Sequence, residues 1–243
     1  MRSWNADSYD RVSSPQVEMG RDVLARLPLE GDETVLDAGC GTGRVTRLLL
    51  ERLPRGRVIA IDASADMVAR ARENLPEVDV RRADLASFAL EEPVDAILST
   101  ATFHWIPDHD ALFECLAQAL KPGGRLEAQC GGAGNVARLH AAARTVGGGR
   151  FADWPGPWNF SSAERAAERL RSHGFDEVRT WLEPRPVGLQ EPREYMKTVV
   201  LHPFLERLDL GDRDDFVEAV IAQLGEPVEL DYVRLNISAR RRG

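Results

Sequence analysis

Apolar positions along the chain alternate between two periods. From Ser13 to Leu27 they recur at helical spacing, with Val17, Val23, Leu24 and Leu27 on one side. Thr34-Val-Leu-Asp-Ala38 is then a short buried run of the kind a strand needs. Val45 to Leu53 returns to helical spacing and stops at Pro54 and Gly56. The strand Arg57 to Asp62 follows, and Ser64 caps a helix from about Asp66 to Asn74. Val78–Arg82 and Val94–Ser99 read as strands, Asp110–Leu120 as a helix, Lys121-Pro-Gly-Gly124 as a turn and Arg125–Gln129 as a strand. Strands alternating with crossover helices predict a parallel sheet with helices on both faces.

The alternation stops at Gly131. Glycines are frequent from there to Phe160, and aromatics cluster in Phe151-Ala-Asp-Trp-Pro-Gly-Pro-Trp-Asn-Phe160, which reads as a loop-rich cover. Ser161-Ser-Ala-Glu164 reads as a capping box opening a helix that closes at His173-Gly174. Glu177–Glu183 and Glu229–Ala239 alternate as strands, with two helical stretches between residues 190 and 224. The plan is one domain over 1–243: a helical cap (1–30), a core (31–130), a cover (131–160), and late strands (161–243) with a helical insertion at about 190–224.

Composition narrows the function. The 243 residues are 43% apolar and 29% charged, with 39 acidic groups against 31 basic ones. A net charge of −8 disfavours a nucleic-acid partner. No apolar run is long enough for a membrane span and the start lacks a signal-peptide core, so a cytoplasmic protein is expected. Cys40, Cys115 and Cys130 match no disulfide, zinc or redox spacing, and the five histidines include no i, i+4 pair, so no metal site is read. Oligomeric state has no signature in the sequence.

Chemistry concentrates at the ends of the early strands. Asp37-Ala-Gly39-Cys40-Gly41-Thr-Gly43 joins the first strand to a helix, where open parallel sheets bind ligands. A dinucleotide loop needs a small residue where Arg44 stands, and no phosphate-cradling Gly-Lys-Ser or Gly-Lys-Thr is present. Asp62 ends the second strand, placed to accept both hydroxyls of a ribose. Asp84 follows the third, placed for an exocyclic amine. Asp37 is placed to meet a cationic group. Three carboxylates without a phosphate binder fit a ligand with a ribose, an adenine and an amino group but no pyrophosphate.

These motifs resemble those of the class I S-adenosylmethionine-dependent methyltransferases over at least residues 34–130. The acid and G-x-G-x-G loop match Asp37 to Gly43, the ribose acid matches Asp62, the adenine-contacting Asp matches Asp84 with Leu85, and Pro122-Gly-Gly124 precedes the fifth strand. The resemblance implies an α/β, Rossmann-like seven-stranded sheet, mostly parallel with the last strand antiparallel. It also implies S-adenosylmethionine as cofactor, with S-adenosylhomocysteine as product and no metal. Contacts are implied at Tyr9, Asp37, Gly39, Cys40, Gly41, Gly43, Asp62, Ala63, Met67, Asp84, Leu85, Ser99 and Thr100.

Within the class, Trp4-Asn-Ala-Asp-Ser-Tyr9 and Phe103-His-Trp105-Ile-Pro-Asp-His109 resemble the trans-aconitate methyltransferase group. The juvenile hormone acid methyltransferases share the His-Trp or Gln-Trp step and a glutamine in the first helix, here Gln16. Both groups esterify small carboxylic acids. The chain departs at His104, where the trans-aconitate enzymes commonly carry Gln. A carboxylate acceptor is ionised at neutral pH and needs no base, so Gln16 and His104 are expected to orient it, with Trp4, Tyr9, Trp105 and the aromatics of 151–160, Trp154 among them, excluding water. Two alternatives stand beside this reading: a phenolic or natural-product acceptor with His104 as base, and a non-catalytic cofactor-binding module.

Overall fold

The computed structural model describes Ala6, Asp10 and residues 14–243. Helix α1 (Ser14–Arg26) precedes the alternating series β1 (Thr34–Ala38), α2 (Arg44–Glu51), β2 (Arg57–Asp62), α3 (Ala65–Asn74), β3 (Asp79–Arg82), β4 (Val94–Thr100), α4 (His109–Ala119) and β5 (Leu120–Gly131). The second half contributes α5 (Ala137–Gly147), α6 (Ala163–Ser172), β6 (Phe175–Pro184), β7 (Val187–Gly188), α7 (Pro192–Tyr195), α8 (His202–Leu205), α9 (Arg213–Leu224), β8 (Glu229–Leu230) and β9 (Val233–Arg241). Among these residues no helix is long and apolar enough to cross a membrane.

Seven strands form one sheet in the order β3-β2-β1-β4-β5-β9-β6. Every pairing from β3 to β5 is parallel, and β9 runs antiparallel to both of its neighbours, as the resemblance implied. Strand alternation divides the side chains between two faces. On one, Leu36, Ile61, Ile97 and Leu126 pack against Phe113 and Leu116 of α4 and Leu170 of α6. On the other, Val35, Val58 and Leu98 meet Val23 and Leu27 of α1 and Leu49 of α2. The order reverses between β1 and β4, so the carboxyl ends of β1, β2 and β4 surround a crevice there. Gly43 lets α2 begin close to the end of α3: it has φ 86°, and a Cβ would sit 2.5 Å from Leu75.

Four elements differ from the sequence reading. The cover contains α5, whose signal is Val136, Leu139, His140 and Ala143 at i, i+3, i+4 and i+7, masked by the glycines on either side. Residues 121–124 lie within β5, not outside it. Leu120 pairs with Val94 and Arg125 with Ala96, so Lys121-Pro-Gly-Gly124 bulges opposite Asp95, held by a Lys121–Asp95 ion pair of 2.6 Å. The cap of α6 is Ser162, whose Oγ accepts from Arg165 N–H at 3.2 Å, one residue later than the predicted box. The 190–224 insertion breaks into more pieces than two. A π-helical turn at Met196–Val200 follows α7, and α8 and a short 3-10 turn precede α9. Helices α5 and α9 share a second apolar cluster with Phe151, Phe204 and Tyr232, roofing the crevice.

Candidate active site

The crevice is a cavity of about 610 Å³ at the carboxyl edge of the sheet. Its floor at one end is made by strand termini: Gly39 and Gly41 after β1, Asp62 and Ala63 at β2, Asp84 and Leu85 after β3, and Thr100 at the end of β4, with Met67 from α3. Gly41 has φ 55° and open space where its Cβ would project, so the backbone there faces the cavity directly. Each oxygen of Asp62 is held by one backbone N–H, Oδ2 by Gly41 (2.9 Å) and Oδ1 by Ser64 (2.8 Å). A carboxylate oxygen has two acceptor positions, so one on each oxygen remains for a ligand hydroxyl. Burial raises the Asp62 carboxyl above its ordinary range, against the lowering effect of those N–H groups. Asp84 Oδ1 accepts from Ala86 N–H at 2.9 Å.

Five of the sequence-selected residues stand off this wall. Asp37 was expected to meet a cation. It shares the α2-facing side of β1 with Val35, and its Oδ2 accepts from Thr46 Oγ1 at 2.6 Å. It is 1% exposed, and its Oδ1 has no hydrogen-bond partner among the described residues. Burial first, with the nearby Asp62 charge, pushes its carboxyl up to about 6 despite the Thr46 hydroxyl. Cys40 is buried beside Gly41, and Gly43 packs on Leu75. Ser99 Oγ donates to Ala38 O at 2.6 Å, tying β4 to β1. Trp154 stands in the roof against Phe151, Phe204 and Trp158. Trp4 and Tyr9 lie outside the described residues.

At the other end the cavity is lined by Gln16, His104, Trp105, His140, Trp158, Phe160, Tyr232 and Arg234, among others. The turn Phe103–Trp105 after β4 carries His104, and its carbonyl accepts from Asn159 N–H at 2.9 Å, which ties the aromatic segment across the opening. The backbone N–H of Gly131 donates to His104 Nδ1 at 3.2 Å. That nitrogen therefore carries the lone pair, and in the neutral ring the proton sits on Nε2. Burial, then the Arg234 and His109 charges, lower His104 well below the ordinary imidazole range, so it is neutral at pH 7.

Gln16 Nε2 donates to the Tyr195 hydroxyl at 2.5 Å, and that hydroxyl pairs with Tyr232 at 2.8 Å. Gln16 Oε1 is buried without a partner among the described residues. His140 stacks on Trp158 (centroids 4.3 Å) and Phe160 (5.9 Å), and burial holds it down to about 4. Trp158 and Phe160 come from the aromatic segment expected to exclude water, whereas sequence reasoning missed His140, Tyr232 and Arg234 as wall residues. For the strand pair the signal was present: Tyr232, Arg234 and Asn236 share one side of an alternating run, and buried polar side chains in a strand mark a cavity or a network.

Residues 35–124 match the methyltransferase domain family. The trans-aconitate 2-methyltransferase of Methylobacterium nodulans is 32% identical over 264 residues, covering 99% of each chain. That of Azoarcus sp. is 43% identical over 129 residues, covering 53% of this chain and 51% of the relative. Phosphoethanolamine N-methyltransferase 2 of Haemonchus contortus, solved with phosphomonomethylethanolamine and S-adenosylhomocysteine, superposes with a TM-score of 0.66 at 19% identity. The match covers 98% of this chain and 56% of that one, a likeness of fold. The chain belongs to the trans-aconitate 2-methyltransferase family of S-adenosylmethionine-dependent methyltransferases.

Proposed function

We propose that the protein methylates a carboxylate oxygen of a small organic acid, and the relatives' names put trans-aconitate first among the acids to try. The cavity's first end fits the cofactor. Asp62 keeps acceptor capacity for a ribose, Asp84 stands one strand further for an adenine amine, and Gly41 offers bare backbone. S-adenosylmethionine, when bound, supplies an electrophilic methyl group on a sulfonium.

The observation that carries the acid reading is the Gly131 N–H on His104 Nδ1. To act as a base toward a phenol in the cavity, His104 needs a lone pair on Nε2. That tautomer puts a proton on Nδ1, facing another N–H donor. Neutral His104 is thus a hydrogen-bond donor from Nε2, and its lowered pKa makes it a poor proton acceptor. A donor without charge can hold an ionised carboxylate in line without withdrawing much of its electron density. Gln16, fixed by Tyr195, supports the same alignment, and Trp105, Trp158 and Phe160 keep water from the nucleophile. The protein supplies position and dryness, and orientation of this kind is worth roughly 7–11 kcal/mol.

The test is release of S-adenosylhomocysteine with trans-aconitate, other carboxylic acids, phenols and amines as acceptors. Turnover is expected with acids. Turnover with phenols or amines alone returns His104 to the role of base and ends the acid reading.

A further inference from the structure

The acceptor end of the cavity is walled by rings that meet in a closed circuit. Trp105 meets His104 (centroids 5.0 Å), His104 meets Phe160 (5.8 Å), Phe160 meets His140 (5.9 Å), His140 meets Trp158 (4.3 Å), and Trp158 returns to Trp105 (6.0 Å). All five line the cavity. They come from three separate stretches, the turn after β4, α5 and the segment before α6, so the fold gathers them there. Excluding water from a methyl transfer asks only for apolar bulk, which aliphatic side chains supply as well. Two of the rings are imidazoles, and burial keeps both neutral at pH 7, holding His140 down to about 4. The wall therefore carries no charge of its own.

Among the described residues of the cavity, the other charged side chains are three acids, Asp62, Asp84 and Asp108, and one guanidinium, that of Arg234. Arg234 is already engaged within the protein. Its Nε donates to Gln129 Oε1 at 3.5 Å, the Tyr232 ring centroid lies 5.6 Å from its Cζ, and it stands directly across the strand pair from Glu183. A buried polar row continues from it through Gln129 and Asn236 to that same Glu183.

We infer that the acceptor is a monocarboxylic acid with a flat, apolar body, aryl or conjugated, and that this body lies on the five-ring wall while its carboxylate meets Nε2 of His104. This rests on the carboxylate reading of the same site. A flat body gains contact and offset stacking from aromatic side chains. A second carboxylate in that place gives up its water against ring surface, which costs far more than the contact returns. It also meets the like charge of the cavity's own acids. A saturated body of similar size fills the space but cannot stack.

The experiment measures S-adenosylhomocysteine release with trans-cinnamate and sorbate as flat monoacids, 3-cyclohexylpropanoate as a monoacid that is not flat, and trans-aconitate. The wild-type protein should favour trans-cinnamate over each of the last two by about tenfold or more in kcat/KM, carried mainly by KM. Trp158→Leu, which keeps apolar bulk and removes the ring, should raise the KM for trans-cinnamate about tenfold and shift that for 3-cyclohexylpropanoate by less than about threefold. Trp158→Phe should keep most of the preference. S-adenosylhomocysteine affinity, measured by calorimetry, reports that each variant is folded. A wild-type protein that uses trans-aconitate or 3-cyclohexylpropanoate as well as the flat monoacids, or better, overturns the inference and leaves the carboxylate reading in place. A folded Trp158→Leu protein that keeps the full preference for trans-cinnamate does the same. Turnover of phenols or amines but of no acid overturns the carboxylate reading, and this inference with it.

Discussion

The two ends of the cavity are assembled differently. At the cofactor end, Gly39, Gly41, Asp62, Asp84 and Thr100 follow the carboxyl ends of successive parallel strands, all within 62 residues of chain order or so on one edge of one sheet. At the acceptor end, Gln16, His104, His140, Trp158, Tyr232 and Arg234 come from α1, a turn, α5, a loop, the link before β9 and β9 itself. Parallel topology alone brings the first group together. The second depends on how the 190–224 insertion and the cover pack over the sheet. Changes at the first end should therefore act on cofactor binding and fold, and changes at the second on the acceptor.

The largest effect is expected at Asp62. Asp62→Ala removes an acceptor for two ribose hydroxyls and frees the N–H groups of Gly41 and Ser64. At about 1.5–3 kcal/mol for each charge-assisted bond, S-adenosylhomocysteine affinity should fall by about a hundredfold or more in calorimetry. A folded variant with wild-type affinity removes Asp62 from the cofactor end.

Asp37 tests the same end through stability. Its folded pKa of about 6 lies above the 3.8 of the free side chain, so the native state holds the proton more tightly. The stability this contributes is fully present below pH 3.8 and is lost as pH rises through 6, on the order of 3 kcal/mol. In cofactor-free protein, chemical denaturation of wild type against Asp37→Asn should show the variant gaining relative to wild type between pH 4 and 7. A constant difference across that range shows that Asp37 does not titrate there.

The contrast also explains what was legible. Asp62 and Asp84 could be placed because a strand end plus a glycine loop fixes their position by chain order alone. Asp37 belonged to the same motif, yet strand alternation turns it toward Thr46. Gln16 and His104 carried enough local pattern to be singled out, but the tautomer of His104 depends on Gly131, 27 residues away. His140 lay on a helix hidden between glycines. Arg234 owes its burial to Gln129, Asn236 and Glu183, contacts made 105, 2 and 51 residues away that no local pattern announces.

The smallest shift, and the sharpest distinction between the two ends, is expected at His104. If His104 is a neutral donor, His104→Gln keeps an N–H near the same place and should cost less than about tenfold in kcat/KM toward the best acid. His104→Ala, which leaves the carboxylate without that bond, should cost about tenfold or more, on a loss of about 1.5–3 kcal/mol. Neither should move S-adenosylhomocysteine affinity beyond about threefold, since the cofactor acids lie on other strands. The pH profile separates donor from base. An acid acceptor with a pKa of about 4 is fully ionised above pH 6, and His104, held well below its ordinary range, stays neutral there. The chemical step measured in single turnover should then vary by less than about twofold from pH 6 to 9. A base that deprotonates its acceptor instead loses rate as pH falls through its own pKa. A rate that declines toward pH 6 in the wild-type protein and becomes flat in His104→Gln would assign proton transfer to His104 and break the division between the two ends.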